Sequence, residues 1–158
     1  MEDFNEGMDL SVEDPTAEDT ENAPAVPMGV INLSIFSMDV MIFISEDDRL
    51  KELRRQGLEP VKEDTPFKGL AVRDFDKEGN PVFSMVFTPE GALDPSTWAH
   101  EATHTADLVM DSIGMPGTLC NTEMRAYLVE FLFNGICKIL EGLEHFIFPN
   151  EDRPKILH

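Results

Sequence analysis

The chain has 158 residues and a mass of 17.8 kDa, room for one domain with its own core but not for two large ones. Its 42% hydrophobic and 27% charged residues are ordinary globular usage and exclude a fibrous or wholly disordered chain. Thirty-one Asp and Glu against 12 Lys and Arg give a net charge of -19, which repels nucleic-acid backbones and anionic lipid surfaces, and no basic patch offsets it.

The charge is unevenly placed. Residues 1–27 carry nine acids (Glu2, Asp3, Glu6, Asp9, Glu13, Asp14, Glu18, Asp19 and Glu21), no Lys or Arg, and prolines at 15, 24 and 27. Such a stretch has too little apolar surface to offset its ordering entropy and is expected to be a flexible, solubilising tail. Residues 28–158 then form the single domain. The amino terminus lacks the basic and apolar regions of an export signal. The longest apolar run, Val30 to Ile44, is too short to span a bilayer and contains Asp39. Two cysteines, Cys120 and Cys137, are too few for a disulfide framework. A soluble cytoplasmic protein with both thiols free is expected.

In chain order, Val30 to Phe36 and Met38 to Ser45 are rich in β-branched and aromatic residues and predict two neighbouring strands. Ser45 followed by Glu46, Asp47 and Asp48 predicts a capped helix that ends near Gln56, with Arg54 and Arg55 in its last turn. Gly69 to Asp76 and Pro81 to Thr88 flank the turn-rich Lys77-Glu78-Gly79-Asn80 and predict a hairpin. Ser96, after Pro95, is the expected cap of a long helix that stops at Gly114. A loop from Met115 to Asn121 leads to a longer helix, capped by Asn121 or Thr122 and running from Glu123 to Phe146. Its apolar residues run most of the way round, which suits either the central core helix or a homodimer contact. Strands first and two long helices last predict an α+β fold: a small antiparallel or mixed sheet followed by the helical pair.

The first long helix contains His100-Glu101-Ala102-Thr103-His104, an H-E-x-x-H. Residues four apart on a helix share a face, so both imidazoles reach one divalent ion. Glu101 is rotated about 100° from His100 and is free to act as the general base toward water at that ion. Glu123 follows His104 after 18 intervening residues, enough to finish the helix, turn and return antiparallel, and is the expected third ligand. Two His and one Glu with an open fourth position is the catalytic zinc pattern.

Several neighbours extend the expectation. Asp107 and Asp111 continue the histidine face, and Asp107 is a candidate acceptor for a ligating imidazole N–H. Tyr127, the only tyrosine, is a candidate donor to the oxyanion of a tetrahedral intermediate; its alternative is a packed aromatic. Cys120 is a loop thiol more than a ligand, and His145 and His158 have no partner spacing.

With Glu123 in place, the pattern resembles the gluzincin class of zinc metallopeptidases. The string from Asp94 to Phe133, about a quarter of the chain, is similar to small zincin-like peptidases encoded by bacteriophages. The resemblance implies a zinc-dependent peptidase of the host cytoplasm, with His100, His104 and Glu123 as Zn2+ ligands, Glu101 as catalytic base and a peptide or protein as substrate. Position 107 is Asp and 110 is Met, so the longer metzincin motif is not present. The G-x-M-E-N motif of gluzincin aminopeptidases is also missing. A second expectation is a catalytically silent zincin-fold binding protein, such as a phage factor that targets a host protein.

Overall fold

The computed structural model describes residues 27–115 and 121–141. Residues 1–26 of the predicted tail, Cys120, His145, His158 and the part of the last predicted helix beyond 141 lie outside the described residues.

The architecture is α+β, a four-stranded mixed sheet with the two long helices last in the chain. Strands β1 (Gly29–Leu33) and β2 (Met38–Phe43) pair antiparallel with Leu33 opposite Met38. That register leaves Ser34 to Ser37 to make the turn, so the first strand ends three residues earlier than its composition suggests. Ser34–Phe36 winds into a 3-10 turn, and Ser37 adopts a left-handed conformation with φ 54°. Helix α1 (Glu46–Arg55) starts at Ser45, whose hydroxyl accepts the Asp48 N–H at 3.3 Å. Strands β3 (Gly69–Phe75) and β4 (Pro81–Phe87) form the expected antiparallel hairpin. The hairpin docks through β4, parallel to β2, which gives the order β1-β2-β4-β3 and leaves β3 at an edge.

The two central strands are covered on both faces, which is why they read as nearly continuous apolar runs. On one face Val40, Ile42, Phe83, Met85 and Phe87 pack against helices α2 (Pro95–Ser112) and α3 (Thr122–Leu140). On the other, Met41, Phe43 and Val86 meet Leu53 and Leu58. Helix α1, whose sequence suggests a short surface helix, buries Leu50 and Leu53, and its Arg49 is only 1% exposed. The Arg49 guanidinium donates to Glu46, to Asp74 at 2.7 Å and to the Val61 carbonyl at 2.9 Å, tying α1 to β3 and to the loop between them. Burial charges a cost that these acceptors offset.

Helix α2 is capped by Asp94 rather than Ser96. The Asp94 carboxylate accepts from the Ser96 N–H at 3.0 Å and from the Thr97 hydroxyl at 2.9 Å, with Pro95 in the first turn where its missing N–H costs nothing. The Ser96 hydroxyl, which also donates to Asp94 at 2.6 Å, leads these bonds in holding the Asp94 carboxyl below its ordinary range. At the other end Gly114, φ 73°, closes the helix as the Met115 N–H reaches back to the Met110 carbonyl at 2.8 Å. Helix α3 buries only Leu128, Leu132, Ile136 and Leu140, a single stripe with a spacing of four. Met124, Tyr127 and Phe131 remain exposed. Among the described residues, no helix is long and apolar enough to cross a membrane.

Candidate functional site

Trp98, Ala102, Ala106 and Val109 anchor α2 to the core, and this stripe dictates where the remaining side chains point. The Trp98 indole N–H also donates to the Gly91 carbonyl at 3.1 Å, pinning the start of α2 to the turn after β4. His100 and His104 consequently lie on the exposed side. Their Nε2 atoms are 3.0 Å apart and their rings are edge to face at 79°. Zinc bonds imidazole nitrogen at about 2.0–2.1 Å, so one ion can touch both atoms. The same separation also serves an imidazole–imidazole hydrogen bond, which needs one ring to donate and the other to accept.

Glu101, one position on, turns toward the open edge of β3 and is only 4% exposed. Burial pushes its carboxyl above the ordinary range, against the opposing pull of His100, His104 and the Ala71 backbone N–H. A carboxylate so desolvated is a stronger proton acceptor than one in water. Glu101 and His100 line a cleft of about 540 Å³ together with Lys68, Gly69, Asp94 and Thr97.

Glu123 is not brought to this cleft. Asp107 pairs with Arg125, and the Trp98 ring meets that of Phe133 at 6.5 Å between centroids. These two contacts mark the antiparallel register of α2 and α3. Counting three residues from the first or six from the second places His104 level with Tyr127 or Leu128. Glu123 is four or five residues away along the axis, about 6–8 Å at the helical rise. It also faces the wrong way: Arg125 points at α2, and a residue two positions off is turned by roughly 200°. Helix α3 does return antiparallel to α2, and Glu123 lines a groove that His100 and Glu101 do not.

Glu123 instead lines an apolar groove of about 720 Å³ between α3 and the turn after β1, with Asn32, Ile35, Phe36, Tyr127 and Phe131. Tyr127, expected as an oxyanion donor, is 68% exposed and lines that groove, and it is not among the residues lining the cleft of His100 and Glu101. Among the described residues, no three His, Cys, Asp or Glu side chains are grouped to hold a metal ion. Among the described residues the donor set therefore offers a zinc ion two positions, His100 and His104.

The acids that follow on the histidine side are engaged by arginines. Asp107 accepts from Arg125 Nε and, at 2.9 Å, from Arg125 Nη2, a fork that holds its carboxyl below the ordinary range. Asp111 accepts from Arg73 of β3 at 2.7 Å. The expected bond from an imidazole to Asp107 is replaced by a clamp between the two long helices, one turn beyond His104. Sequence reasoning did not single out Gly69, Ala71, Arg73 or Arg125, because β3 and α3 come beside α2 only through the tertiary fold.

No family model matches the chain, and neither a curated protein nor a solved structure matches it.

Proposed function

We propose that the chain is a zinc-dependent peptidase in which His100 and His104 are metal ligands and Glu101 is the catalytic base. The observation that carries this reading is the convergence of the two Nε2 atoms at 3.0 Å beside a buried carboxyl in an accessible cleft. When bound, zinc supplies Lewis acidity toward a scissile carbonyl and lowers the pKa of water. Glu101 takes up a proton at its carboxylate and returns it to the leaving amine. Desolvation favours that uptake. Glu123 has no part in this version of the site. Two protein ligands hold zinc less firmly than three, so weaker binding than at a three-ligand centre is expected.

Zinc titration of the full chain tests the ligand pair. Wild type is expected to bind one zinc per chain, and His100→Ala and His104→Ala are expected to lose it. Absence of zinc binding in wild type, or its persistence in the double variant, removes the assignment. Glu101→Gln is expected to keep the metal and to lose cleavage of a broad library of internally quenched peptides. Undiminished cleavage by that variant removes the catalytic role.

The placement of Glu123 and Tyr127 in a separate apolar groove favours a second reading, a zincin-like binding protein without turnover. In that case neither wild type nor Glu101→Gln cleaves the library, and both hold the same partner equally tightly. A partner contact abolished by groove substitutions such as Phe131→Asp would support it.

A further inference from the structure

We propose that Gly69 is a positioning residue for Glu101: the missing side chain on the open edge of β3 lets the carboxyl sit in the cleft beside His100. This inference rests on the peptidase reading and deepens it.

The Thr88 N–H donates to the Lys68 carbonyl at 2.9 Å, so in the antiparallel β3–β4 ladder residues 68, 70, 72 and 74 face β4. Gly69 and Ala71, between them, present their N–H and C=O groups to the unpaired edge. Helix α2 runs past that edge and inserts Thr97 and Glu101 against it. A Cβ built on Gly69 would lie 2.6 Å from Glu101 Cγ, 2.7 Å from Thr97 Cγ2 and 2.9 Å from Glu101 Oε1. All three are closer than side-chain carbons approach, so one neighbour has to give way. Thr97 is buried and its hydroxyl is fixed on Asp94, the cap of the helix. Glu101 has the Ala71 N–H as a partner, a contact that rotation of its side chain gives up. The contact is with its Cγ, the middle of the side chain, so relief requires rotation near Cα rather than a small swing of the carboxyl. A methyl group at 69 therefore expels the base from its seat, and neither imidazole is among the nearest atoms it meets. Glycine inside a strand weakens it, and here the vacated volume is filled by the two groups that line the cleft.

The test uses the full chain with Gly69→Ala and, in case that variant folds poorly, Gly69→Ala/Thr97→Ser, which removes one of the two clashes and keeps the one with Glu101. For either folded variant, zinc affinity and KM toward the cleaved library peptide are expected to stay within about twofold. The turnover number is expected to fall by about tenfold or more, as when a base is misplaced. A folded variant with wild-type kcat overturns the proposal, and so does one whose loss lies wholly in zinc affinity or in KM. If wild type itself neither binds zinc nor cleaves peptides, the peptidase reading fails separately. The Ala71 amide resonance then still reports the seat of the carboxyl. It is expected to move in the same direction in Gly69→Ala as in Glu101→Ala, and an unmoved Ala71 amide in folded Gly69→Ala overturns the positioning.

Discussion

His100 and His104 owe their proximity to helical spacing, since residues four apart on a well-anchored helix share a face. Glu123 shows the opposite dependence. Its value as a ligand turned on the face of a second helix, and Arg125, two residues on, claims the inward face for the Asp107 pair. Glu123→Ala is therefore expected to leave zinc affinity within about twofold of wild type, whereas a three-ligand site built on Glu123 would lose binding by orders of magnitude. Competition with a chromophoric chelator distinguishes the two. At the buried end of the scale, Arg49→Met leaves Glu46 and Asp74 without their guanidinium. The cost expected from breaking a buried ion pair is about 3–5 kcal/mol, read from urea unfolding. Burial pushes the Asp74 carboxyl above its ordinary range even with the Arg49 guanidinium pulling it down.

The relation between α2 and α3 is decided by apolar packing, with the Asp107–Arg125 fork as a local clamp. Truncating the inward stripe, as in Leu132→Ala or Ile136→Ala, is expected to cost about 2–5 kcal/mol because both side chains are fully buried. Arg125→Ala is expected to cost far less, about 0.5 kcal/mol, since the Asp107 side chain is 45% exposed and solvent screens the pair. The pH dependence has a definite sign. Arg125 lowers the folded-state pKa of Asp107 chiefly by hydrogen bonding, so the contribution is complete above the unfolded carboxyl pKa, about 4, and is lost as pH falls through the lower folded value. Arg125→Ala and wild type should therefore differ in stability at pH 7 and converge in strongly acid solution. A difference that grows on acidification would contradict the assigned clamp. The helix also explains why an all-round apolar sequence did not give an all-round buried element. Leu128, Leu132, Ile136 and Leu140 meet the sheet and α2, while Met124, Tyr127 and Phe131 face the groove.

For the molecule as a whole, strand and helix identities followed from local chemistry: β-branched runs at β1 and β2, a turn-rich connector inside the β3–β4 hairpin, and acids or prolines at helix starts. The α+β class followed from their order along the chain. The parallel docking of β4 on β2 was not legible, because it depends on long-range burial of two apolar strands and not on any residue between them. Nor were the partners of the motif. Local periodicity alone determined that His100 and His104 share a helical face, since that geometry is repeated every turn whatever surrounds the helix. Only the tertiary structure decided that Glu101 is buried against Gly69 at a sheet edge and that Glu123 looks into an apolar groove. Both outcomes depend on which face each helix buries and on the axial register between them, quantities set by packing across the core that no spacing within one segment encodes.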